Sequence, residues 1–64
     1  MKPNINYTLE EIEKSLENME TLHILNKLIE YGAYEMELIP FSDERMKVNK
    51  IIEVMKNEIV KRTR

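Results

Sequence analysis

Apolar side chains recur along this chain at the three- and four-residue spacing of helices, and few residues interrupt the rhythm: one Gly, Gly32, and two Pro, Pro3 and Pro40. From Asp43 to Arg62, Val48, Ile51, Ile52, Met55 and Ile59 form one stripe at the i, i+3, i+4, i+7 spacing of a single buried helix face. Ser42 stands where it can cap that helix. Asp43 and Glu44 sit at its positive end and the basic residues gather at its negative end. An earlier helical run opens at Tyr7-Thr8-Leu9-Glu10-Glu11, with Thr8 as cap and Glu11 at the capping-box position. Pro40 stops that run, because its ring pushes Ile39 towards extended geometry.

The first run carries two faces. Leu9, Ile12, Leu16 and Met19 share one, which His23 continues; Leu25, Ile29, Gly32, Met36 and Ile39 share another, roughly opposite at about 100° per residue. The reversal falls between Glu20 and His23. Two structures produce it. The chain can break near Glu20-Thr21, with Thr21 capping a new helix, so that three helices over about 9–19, 22–39 and 43–62 close into a bundle. Alternatively, one helix of about 30 residues, about 45 Å long, shows different faces to different neighbours, which requires an oligomer or a bound partner. A local competitor is a strand over Tyr34 to Leu38, where apolar and acidic residues alternate, but no partner strand is in sight. The matched lengths of 22–39 and 43–62 favour an antiparallel hairpin. The expectation is an all-α fold in one domain, 1–64: a helical hairpin with an additional N-terminal helix, as a small three-helix or dimeric bundle.

Composition sharpens this picture. With 64 residues the chain buries only about 60% of its unfolded surface, so a protein partner or self-association, most simply a homodimer, is expected. Without Cys, neither disulfides nor thiolate metal sites can staple the fold. No apolar run approaches the ~20 residues of a membrane span, and Met1 to Asn6 lack a signal-peptide pattern, so a cytoplasmic protein with no membrane association is expected. The net charge of −2 divides unevenly. Residues 1–40 hold three Lys against eight Glu, and residues 41–64 hold seven basic against four acidic residues. Two halves folding against each other would bring complementary fields together.

Reagents for catalysis are missing: one His, no thiol, no phosphate-binding loop, and hydroxyls at Thr8, Thr21 and Ser42 better used as caps. No enzyme activity and no cofactor are expected. Glu20 and His23 have the Glu-x-x-His spacing of carboxylate-bridged metal bundles, but eleven Glu make that spacing common, and no metal site is expected. Val48-Asn49-Lys50-Ile51-Ile52 is similar to part of the Leu-Asp-Lys-Leu-Ile segment of small two-helix aspartyl-phosphate phosphatases of sporulating bacteria. The acidic position of that segment is Asn49 here, so the resemblance implies no phosphatase chemistry.

Two surfaces remain as candidates. Tyr7, Leu9, Ile12, Leu16 and Met19 on an acidic helix have the pattern of a groove-binding arm, which docks on a second subunit, on a target or back on the hairpin. Lys47, Lys50, Lys61 and Arg64 form a basic strip on the last helix that could track phosphates. The expected function is a small non-enzymatic regulator that binds another protein, such as an inhibitor, antirepressor or antitoxin of bacterial or phage origin. The alternatives are a small nucleic-acid-binding protein and a structural homo-oligomeric bundle.

Overall fold

A computed structural model describes residues Asn4 to Arg64. Met1 to Pro3, part of the segment read above for a targeting signal, lie outside the described residues. Three helices follow one another: α1 (Leu9–Glu17), α2 (Thr21–Glu37) and α3 (Asp43–Thr63). The architecture is all-α, a hairpin of α2 and α3 with α1 added. Among the described residues there is no strand, and Tyr34 to Glu37 is helix. No helix among them is long and apolar enough to cross a membrane.

Helix α1 begins in a capping box. Thr8 Oγ1 accepts from the Glu11 backbone N–H at 3.1 Å, and the Glu11 carboxylate accepts from the Thr8 N–H at 3.0 Å. The backbone N–H of Thr8, then its side chain, hold the Glu11 carboxyl below the usual glutamate range. The run then breaks, so the long-helix alternative gives way to two helices. Asn18 and Met19 form the link, and Glu20, extended at φ −67° and ψ 146°, takes the cap position without a side-chain hydrogen bond. Thr21 is the first residue of α2 instead of its cap. Helix α2 stops at Glu37, two residues short of Ile39, with Leu38 already extended ahead of the Ile39-Pro40 bond.

Arg62 explains why the break is stable. Its Nη2 donates to the Leu16 carbonyl at 2.6 Å, its Nη1 to Thr21 Oγ1 at 3.1 Å, and its Nε to Glu58 at 2.7 Å. The end of α1, the start of α2 and the last turns of α3 therefore meet at one guanidinium. The Leu16 carbonyl, which already accepts from the Met19 N–H at 3.1 Å, gains a charged donor there.

The core comprises Ile12 and Leu16 of α1, Ile24, Tyr31 and Tyr34 of α2, and Val48, Ile51, Ile52 and Met55 of α3. Helix α3 packs against both other helices, while α1 and α2 make little contact with each other. The face that α2 turns to α3 contains Ile24, Tyr31 and Tyr34, with Leu28 and Leu38 half-buried. It is not the stripe from Leu25 to Ile39. Polar ties close the hairpin: Tyr34 donates to Glu44 at 2.8 Å, Asn49 to Glu35 at 3.1 Å, and Arg45 to the Leu38 carbonyl at 3.1 Å. Among the described residues both ion pairs, Lys27–Glu30 and Arg62–Glu58, lie within a single helix. The opposite charges of the two halves thus act as fields, without direct ion pairing across the hairpin.

Two outcomes follow from these contacts. Arg62→Leu removes the charged donor to the Leu16 carbonyl, which keeps the Met19 N–H, and the tie to the exposed Thr21 hydroxyl, and stability falls by about 1 kcal/mol, or about 5 °C in Tm. Arg62→Lys recovers less than half of that, because an ammonium lacks the planar fork; equal Tm values for Lys and Arg would contradict the clamp. Burial first, then the charges of Tyr7 and Glu30, push the Tyr31 phenol up; its hydrogen bond to Glu44 first, then burial, pushes Tyr34 up. Folding therefore favours both neutral phenols, and this stability is present below about pH 10 and lost as pH rises through the raised folded values. In a Tyr7→Phe background, tyrosinate absorbance of the folded protein should appear at higher pH than that of the urea-unfolded chain. Titration of both states over the same pH range would refute it.

Candidate functional site

The arm of α1 is docked on its own chain. Ile12 and Leu16 are buried in the core, Met19 is half-buried, and Tyr7 and Leu9 are exposed at 49% and 44%. Two of the five candidate anchors are thereby unavailable to a target. Because α1 and α2 both lean on α3 and hardly on each other, a groove of about 810 Å³ runs between them. Ile12, Leu16, Tyr31, Ile51 and Met55 line its apolar part, while Lys14, Lys27 and Glu30 supply polar groups. The Tyr31 hydroxyl donates to the Asn4 carbonyl at 2.7 Å, which ties the preceding segment beside the groove.

The basic strip divides in two. Lys47 and Lys50 lie together, bordering a recess shared with Ile5 to Leu9. Lys61 lines a different recess with Glu13, Glu17 and Glu58, where carboxylates offset its charge, and Arg64 follows the end of α3. Such interruption weakens the continuous positive track that a phosphate backbone needs. Glu20 and His23 share a small recess with Ser15, Asn18 and Met19, and both are exposed. Among the described residues no three His, Asp or Glu side chains gather into a group that could hold a metal ion.

The largest departure from the helical-pattern reading is the outer side of α2. Leu22, Leu25, Ile29, Met36 and Ile39 all face away from the core, with Ile29 at 72% and Met36 at 82% exposure. Ile24, Tyr31 and Tyr34 repeat with helical spacing too, so α2 has two apolar faces and periodicity cannot say which one α3 covers.

The stripe leads to the hairpin corner. The backbone N–H of Ser42 donates to the Ile39 carbonyl at 3.2 Å, closing a turn with Pro40 and Phe41 at its centre. Pro40 suits the second position of such a turn, but the third requires positive φ and normally takes Gly or Asn. Phe41 occupies it at φ 66°, and its side chain is 94% exposed. An aromatic residue is thus held in a strained conformation, gaining almost no burial in return. It borders a shallow recess of about 400 Å³ with Pro40, Arg45, Met46, Asn49 and Lys50, and Met46 is more than half exposed. Sequence reasoning passed over Phe41. The available signal was a bulky residue directly after Pro in a short interhelical connection, where Gly is the usual choice.

Comparison of the chain with protein-family models, with curated proteins and with solved structures yields no match. Phe41→Gly should relieve the left-handed strain, offset in part by the flexibility of Gly in the unfolded chain, and raise stability by up to about 1 kcal/mol. Thermal melts check this; a lower Tm for Phe41→Gly would show that Phe41 contributes to the fold.

Proposed function

We propose that this protein is a small non-enzymatic regulator that acts by binding another protein, and that it self-associates. One observation carries the reading: Phe41 is displayed at the hairpin corner in a conformation that costs stability, with Met46 beside it. Exposed aromatic and Met side chains are the groups that anchor protein interfaces, and a tight turn presents them with little flexibility. Arg45 and Lys50 flank this pair, so the fitting target is an apolar pocket with an acidic rim. An inhibitor, antirepressor or antitoxin works in this way, by covering a working surface of its target without chemistry of its own.

The test is affinity capture from the producing cell with wild-type protein and with Phe41→Gly, its helical content first checked by circular dichroism. A specific target should bind the wild type and bind Phe41→Gly at least about 30-fold more weakly, as expected for a buried aromatic anchor. A target retained equally by both proteins sinks the reading.

A further inference from the structure

We propose that the outer face of α2 is a self-pairing seam, covered by the same face of a second copy running antiparallel. This deepens the self-association proposed above and is independent of the corner at Phe41. Leu22, Leu25, Ile29, Gly32 and Met36 follow one another at alternating spacings of three and four, and Ile39 continues the series just past the helix end. That is the a/d repeat of a two-stranded seam. A two-fold axis between Glu30 and Tyr31 sets Leu25 against Met36 of the second copy and Ile29 against Gly32, while Leu22 meets the point where the second chain leaves the helix before Ile39. Each pair joins an a position to a d position, as antiparallel packing requires, and the contact closes on itself as an isologous dimer.

Gly32 is the residue the single chain does not explain. It lies inside a helix with no positive φ, and a Cβ added there would meet nothing within 4 Å. Neither its own backbone nor its own neighbours call for Gly, which weakens a helix relative to Ala. Opposite Ile29 of a second copy, it becomes the notch that admits the branched side chain and lets the two helices approach closely. A parallel pair would set Gly32 against Gly32 and leave a gap at the centre.

Charge and area agree with a second copy. None of the seam positions is charged, and of the flanking residues Asn26, Leu28, Ala33 and Glu35 only Glu35 is. Two copies of an acidic protein can therefore meet here with little repulsion. The exposed side chains of Leu22, Leu25, Ile29, Met36 and Ile39 offer on the order of 600 Å² per copy, so complete pairing removes at most on the order of 1,200 Å², the lower end of what specific interfaces bury.

Sedimentation of the full chain over a wide concentration range tests the proposal. Wild type should reach twice 7.7 kDa. Ile29→Asp and Gly32→Leu, both at open positions, should keep their helical signal and weaken the dimer at least about 100-fold. Because the chain has no Cys, orientation can be read from disulfides. A mixture of Leu25→Cys and Met36→Cys proteins should cross-link readily, and Leu25→Cys alone should not, since about 16 Å of helix would separate its two thiols. A monomer at every concentration, a dimer indifferent to both substitutions, or efficient linking of Leu25→Cys alone overturns the proposal. Phe41→Gly should leave the dimer intact. Dimer loss and loss of target capture are thus read by different variants, and either proposal can fail without the other.

Discussion

Helix α3 offers one apolar stripe, and both other helices must share it. Val48, Ile51, Ile52 and Met55 form the floor on which α2 lays Ile24, Tyr31 and Tyr34 and α1 lays Ile12 and Leu16. A helix is narrow, so two neighbours leaning on one stripe stand side by side and touch each other little. The groove between α1 and α2 arises from that arrangement. So does the bare outer side of α2, which no other element among the described residues covers. Within this sharing the polar groups are well served: among the described residues, no buried side-chain nitrogen or oxygen lacks a hydrogen-bond partner.

Arg62 turns this shared stripe into a closed unit. Its contacts with Leu16 and Thr21 span more than forty residues of chain and reach the two ends of the link that separates α1 from α2. The break near Glu20 has no side-chain cap of its own. A distant guanidinium supplies part of what local capping does elsewhere, so the fold of the N-terminal half depends on the last turns of α3. Local and long-range contacts thus divide the work: Thr8 and Glu11 start α1, and at its end Arg62 adds a charged donor to the Leu16 carbonyl that the Met19 N–H already holds.

A chain this small has limited means of hiding apolar surface, and the surface left over is informative because it is organised. The outer face of α2 is a regular stripe with Gly32 at its centre, and Phe41 and Met46 stand apart from it at the corner. One face is self-complementary when reversed. The other is a single aromatic anchor with basic neighbours. A protein that pairs through the first and binds a target through the second would present two anchors on one symmetric body, and avidity would follow from geometry.

Much of the fold was legible in the residues themselves. The stripe of α3, the capping box at Thr8 and Glu11 and the cap at Ser42 are local features, governed by periodicity and by hydrogen bonds a few residues apart, and each stands where the sequence indicates; the stop ahead of Pro40 comes two residues early, at Glu37. The reversal of the apolar face near Glu20 marked the break between helices, although Thr21 proved to serve Arg62 instead of capping α2. The candidate arm was legible as apolar but not as occupied, since only packing shows that Ile12 and Leu16 are buried within their own chain. The choice between the two faces of α2, the strained display of Phe41 and the open space around Gly32 were decided by tertiary structure alone. A helical pattern records which residues are apolar on each side, whereas which side is covered depends on where the remaining helices have room to pack.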